Sequence, residues 1–151
     1  DSFHAGFSAG EPWLPLSPDA ATRNVECQCD DARSLLTLYR RLLRLRRDHT
    51  ALSTGGFRSL PSSTAFVFAY ERHDGDATLR ILLNFSASRQ TIIDTAEDGS
   101  TWAILLSTRP DRPISRSGDA TVLEADEGLI LPGTLQAPAL WNPVAHGMDV
   151  G

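Results

Sequence analysis

The chain has 151 residues, of which 41% are apolar, and a formal net charge of −5. That length and apolar content suit one ordinary domain with its own core, and no apolar run is long enough to cross a membrane. The acidic balance and the lack of a polybasic block argue against nucleic acid and membrane surfaces as partners. All 14 basic residues are arginine, a choice that fits genome composition better than any particular function.

The chain opens on Asp1 and shows no charged-then-apolar leader, so the true N-terminus is expected to lie upstream. Residues 1–29 read as an irregular lead-in, because Gly6, Gly10, Pro12 and Pro15 punctuate it too closely for a helix or a long strand. Yet it carries Phe3, Phe7 and Trp13, rings that a solvated loop does not need. Such a loop packs on a neighbouring surface or lines a cleft. Cys27 and Cys29 are separated by one residue, a gap that strains a disulfide, and no second Cys or His pair completes a metal site. Reduced thiols in a cytoplasmic protein are the expectation.

A helix is expected from Asp30 or Asp31, either of which suits the N-cap, to about Asp48–Thr50. Leu35, Leu36, Leu38, Tyr39, Leu42, Leu43 and Leu45 spread over about half its circumference, wider than a one-sided stripe, so it should pack against two partners. Arg40, Arg41, Arg44 and Arg47 take the opposite face. Arg46 breaks the pattern, pointing to within about 20° of the centre of the apolar arc. It either snorkels its charge to solvent or the last carbonyls, or it crosses a helix–domain junction to meet a carboxylate or backbone oxygens. The junction role is the favoured reading.

After Gly55-Gly56 the period changes. Strands are expected at Ala65–Tyr70, Thr78–Phe85, Arg89–Ile93, Trp102–Leu106, Thr121–Leu123 and Leu129–Leu131, separated by turn signals. Asp74-Gly75 marks a hairpin. Six or seven strands at this spacing suggest an antiparallel sandwich. The tail from Gly133 has no periodicity.

The front of the chain resembles a known family. Ala5-Gly6-Phe7-Ser8, then Pro12-Trp13-Leu14-Pro15, then Asn24-Val25 and Gln28, lead into a helix ending Leu42-Leu43-Arg44-Leu45-Arg46-Arg47. Their order and spacing are similar to the end of an α-glucosidase of glycoside hydrolase family 13, the oligo-1,6-glucosidase and trehalose synthase group. The resemblance covers about residues 1–133 and is only architectural after about residue 60. It implies a mainly β fold with one long α-helix: an antiparallel β-sandwich, the all-β C-terminal domain of this family, preceded by the last helix of a truncated (β/α)8 barrel. Residues 1–54 would end the barrel, 55–133 would form the sandwich and 134–151 an irregular tail.

The resemblance also implies a parent enzyme that hydrolyses or transfers α-glucosyl residues by a retaining double displacement, without organic cofactor. The family's nucleophilic Asp, acid/base Glu and second Asp sit on barrel strands four, five and seven, upstream of the region matched here. No catalytic residue is therefore carried over. The implied partners are the upstream barrel and, through the parent, α-glucoside oligosaccharides. Phe7, Trp13 and His4 are the candidate substrate-rim residues; for both rings packing under the barrel rim is the favoured reading and contact with a sugar face the other.

Other chemistry is weaker. Gly6-Phe7-Ser8-Ala9-Gly10 spells a nucleophile elbow around Ser8, but an elbow needs a strand before it and a helix after it. Glu124 and Asp126 would share a strand face, in a setting that reads as a solvated edge; Asp30 and Asp31 read as caps. His4, His49, His73 and His146 show no metal-ligand spacing. A free-standing carbohydrate-binding or interaction module on the same sandwich is the competing function. It needs an exposed aromatic platform, whereas Phe66, Phe68, Tyr70, Phe85 and Trp102 are expected largely in the core.

Overall fold

A computed structural model describes residues 3–6, 8–93, 104–112 and 120–133. The expected tail 134–151, Trp102 and the rim candidate Phe7 lie outside the described residues.

The lead-in is more structured than its prolines suggest. A 3-10 turn spans Phe3–Gly6, and a short helix, α1, spans Val25–Cys29. Asn24 caps α1, its side-chain oxygen accepting from the Cys27 amide at 2.9 Å. Cys27 and Cys29 both sit in α1 and are free; two positions apart, they leave the helix on different sides.

The long helix, α2, spans Leu35–Asp48 and ends where expected. Its cap corrects the sequence reading. Ser34 does the capping, with Oγ accepting from the Thr37 amide at 3.1 Å and donating to the Gln28 carbonyl at 2.8 Å. Asp31 instead closes a local turn onto the Arg33 amide at 2.8 Å. Gln28 Oε1 accepts from the Leu36 amide at 3.0 Å, so α1 supplies a second acceptor to the first turn of α2 and fixes the corner between them.

Seven strands follow among the described residues: β1 Gly56–Leu60, β2 Val67–Asp74, β3 Ala77–Asn84, β4 Gln90–Ile93, β5 Leu106–Ser107, β6 Ala120–Leu123 and β7 Gly128–Pro132. All pairings are antiparallel, in a five-stranded sheet of order β1-β2-β3-β7-β5 and a two-stranded sheet β4-β6. The β2–β3 hairpin turns through Gly75-Asp76, with Asp74 opposite Ala77 and Gly75 at a φ of 56°. β1 has no counterpart in the sequence reading. β2 runs on through Glu71, Arg72 and His73, beyond the expected end at Tyr70, because the first two find partners.

The two sheets share a core. Val67, Ala69, Leu82, Leu129 and Leu131 from the larger sheet meet Ile92 of β4 and Leu123 of β6. On the other face of the larger sheet, Leu38, Leu42 and Leu45 of α2 pack on Ile81 of β3, Leu106 of β5 and Ile130 of β7. β3 is therefore buried on both faces, with Leu79, Arg80, Ile81 and Leu82 all buried in succession.

Phe66, Phe68 and Phe85 are not the core residues expected. Strand alternation puts Val67, Ala69 and Glu71 inside and turns Phe68 and Tyr70 to the α2 side. α2 packs over β3, β7 and β5, and a 3-10 turn at Thr50–Leu52 covers β2 at Arg72, which donates to the Ala51 carbonyl at 3.1 Å, so that face stays open only around Phe57, Phe68 and Tyr70. Phe66, Phe68 and Phe85 are exposed and Tyr70 is half-buried. Glu124 and Asp126 also differ from expectation. Glu124 follows the end of β6, and Asp126 lies in a turn with a φ of 54°, so they share no strand face.

Candidate functional site

Of the three rim candidates, His4 is half-buried in the 3-10 turn at a φ of 50°, and Trp13 is 88% exposed. Leu14 and Leu16 beside Trp13 are exposed as well. This loop finds no cover on the described chain, which leaves its apolar residues for another surface. Ser8 has no elbow around it. Its Oγ donates to the Gly10 carbonyl at 2.9 Å and accepts from the Gly10 amide at 3.1 Å, closing its own small turn.

Helix α2 carries the second exposed apolar surface. Leu38, Leu42 and Leu45 form the stripe on the sheet, while Leu35, Tyr39 and Leu43 form another that stands 63%, 58% and 55% exposed. The double-sided helix anticipated from the sequence is present, with one side occupied and the other bare. Arg46 lies on the bare side. It is exposed rather than half-buried among leucines, and it makes no hydrogen bond or ion pair with the described residues.

The sequence reading passed over two buried carboxylates. Glu71 on β2 is 1% exposed; Arg58 of β1 donates to its Oε2 from Nε at 3.0 Å, and Arg80 of β3 reaches Oε1 at 3.3 Å. Glu127, in the turn before β7, is equally buried. It accepts from Ser107 Oγ at 2.7 Å, the Glu124 amide at 2.8 Å and Arg112 Nη1. Carboxylates held in this way by guanidinium groups, a hydroxyl and an amide tie neighbouring strands and turns together. The residue types gave no signal, since a charged residue at a strand position reads as outward until its partners are placed.

Beside Glu127 lies a cleft of about 600 Å³ lined by Arg33, Arg109, Asp111, Arg112 and Glu124 among others. Its charges are largely paired within the chain: Arg33 with Asp111 at 2.7 Å, Arg112 with Glu127, and Glu124 with Arg89 at 2.8 Å. The hydrogen bond from Arg89, then the nearby guanidinium charges, hold the Glu124 carboxyl below the usual glutamate range. Among the described residues no group of three His, Cys, Asp or Glu is arranged to hold a metal ion.

Residues 1–55 match the family model for the α-amylase catalytic domain. The chain is 33% identical over 86 residues to an oligo-1,6-glucosidase from Parageobacillus thermoglucosidasius, covering 57% of this chain and 15% of that protein. It is 31% identical over 106 residues to a glucan 1,6-alpha-glucosidase from Streptococcus pneumoniae, covering 70% of this chain and 19% of that one. The chain belongs to glycoside hydrolase family 13. Its fold also matches the trehalulose synthase MutB from Pseudomonas mesoacidophila MX-45, with a TM-score of 0.72 at 30% identity over 87% of this chain and 24% of MutB. The family 13 relatives are thus much longer, and this chain spans less than a quarter of each of them.

Proposed function

We propose that this chain is the C-terminal region of a family 13 α-glucosidase-type enzyme. Residues 1–54 complete the catalytic barrel, 55–133 form the family's C-terminal β-sandwich, and 134–151 are an appended tail. The match of residues 1–55 to the catalytic-domain model and the core shared by two sheets support that division. The observation that carries the reading is the two-sided helix α2. It packs Leu38, Leu42 and Leu45 on the sheet and holds Leu35, Tyr39 and Leu43 bare for a second body. Exposed leucines at that spacing gain their stabilisation only when covered.

On this reading the parent acts on α-glucosidic bonds by the retaining mechanism, and its carboxylates lie upstream. This segment shapes and steadies the barrel, while the Trp13 loop contributes to the rim of the cleft. The two free, exposed thiols fit a reducing cytoplasm. The test is a nitrophenyl α-glucoside assay of the pure chain beside the full-length parent. The parent should turn over and the chain should not; turnover by the chain above a heat-treated control overturns the proposal.

One observation favours a second reading. The half-open rings of Phe57, Tyr70 and Phe68 lie with neighbouring centroids 5.3 Å apart, the kind of flat platform that a carbohydrate-binding module presents. Titration calorimetry with maltose or isomaltose distinguishes it: heat of binding to this chain alone supports the module.

A further inference from the structure

The Phe57, Tyr70 and Phe68 rings sit on the face of the larger sheet that α2 only partly covers. Phe57 on β1 and Phe68 on β2 are 54% and 45% exposed. Tyr70 lies between them, tilted 32° to one ring and 35° to the other, and it also touches the cluster beneath α2. Phe85 extends the row by one step, its amide donating to the Phe66 carbonyl at 2.9 Å beyond the ends of β2 and β3.

The Tyr39 and Leu43 part of the bare stripe of α2 turns toward this row. Leu35, Leu38 and Arg41 line a recess shared with Ser107 and Thr108, which places the first turn and the Arg41 flank of the helix beside β5. At about 100° per residue, Tyr39, Leu43 and Arg46 lie on the opposite flank, the one directed at β2 and β1. Helix flank and sheet face therefore form the wall and floor of a single apolar corner. Its wall is leucine and tyrosine, its floor is aromatic, and one positive charge, Arg46, stands at its edge.

We propose that this corner receives one amphipathic helix from the catalytic part of the same parent polypeptide, lying beside α2 on the β1–β2 end of the sheet. The inference rests on the reading that the chain is part of a longer family 13 enzyme, and it adds which surface does the docking. A helix about 10 Å across fits next to α2 on one sheet face. The packing is continuous with that of α2 on β3 and β7. Relatives carry ample chain to supply the helix, since this chain covers 24% of MutB. The occupant's apolar stripe meets Tyr39, Leu43, Phe57 and Phe68, and a carboxylate at its edge meets Arg46.

Hydroxyl-radical footprinting of the full-length parent tests this without any substitution, using the same residues in a tryptic digest as the fully accessible reference. Residues that stay half-exposed keep roughly half the reference rate, whereas covered ones fall about tenfold or more. The expected result is a fall of that size at Tyr39, Phe57 and Phe68 together. A fall at Tyr39 alone, with both phenylalanines near half the reference rate, overturns the corner and leaves the parent reading intact. No fall at any of the three removes both. Protection of the phenylalanines that appears only with added maltotriose, or only as protein concentration rises, assigns the corner to a sugar or to a second copy and overturns the proposal.

Discussion

Glu71 of β2 and Arg80 of β3 stand opposite each other in register, Nη2 to Oε1 3.3 Å, with Arg58 of β1 closing on the same carboxylate. One buried anion thereby ties together β1, β2 and β3. Arg80 is almost as buried as Glu71, while half of the Arg58 side chain is exposed.

Glu71→Gln keeps the shape and removes the buried charge that Arg58 and Arg80 both meet. The expected loss is about 3 kcal/mol of unfolding free energy. Arg58→Ala, at the solvated end, should cost about 1 kcal/mol or less. Denaturant titration of both variants checks the ranking, and equal losses would contradict it.

Gly55 joins α2 to β1 where the backbone has no spare room. A methyl group there would lie 2.5 Å from the Ala51 carbonyl oxygen and 2.6 Å from that of His73. Gly55→Ala should therefore cost about 2 kcal/mol. Gly10→Ala, with nothing within 4 Å, should leave the melting temperature unchanged.

The Glu124 carboxyl, held low by its hydrogen bond from Arg89 and by surrounding guanidinium charges, has a folded-state pKa below its unfolded value. Its stabilising contribution is present above the unfolded pKa and is lost as pH falls through the folded one. In Arg89→Met the Glu124 titration followed by NMR should move upward, toward the ordinary glutamate range. An unmoved titration would assign the shift to Arg109 and Arg112 instead.

Arg46 is the charge on the bare side of α2. In the full-length parent, Arg46→Met should lower the melting temperature by a few degrees, about 1 kcal/mol or more. Arg44→Met, on the solvent side, should do nothing measurable. Equal and negligible effects would leave Arg46 as a solvated side chain with no junction role.

The helix, its C-terminal end and the Asp74-Gly75 hairpin were legible because periodicity and turn chemistry are local. The N-cap was not: Asp30 and Asp31 are good caps in isolation, but α1 and Gln28 bend the chain so that Ser34 takes the position. β1 escaped because Gly56-Phe-Arg-Ser-Leu alternates around an arginine whose partner, Glu71, lies on another strand. The strand aromatics were misplaced for the same reason. Alternation names two faces, and only the position of α2 decides which part of one stays open. The family was readable from Ala5 to Gln28 and the helix ending at Arg47, whereas the buried acids Glu71 and Glu127 had no signature without their arginines.

The most direct test of the central claim, that the bare stripe of α2 is a docking surface, is the melting temperature of Leu43→Glu in two contexts. In the 151-residue chain Leu43 is exposed, and the substitution should change stability by no more than about 0.5 kcal/mol. In the full-length parent it would bury an unpaired carboxylate at the junction and should lower the melting temperature by about 3 °C or more. An unchanged melting temperature in the parent would show that the stripe faces water there too, and would contradict the account.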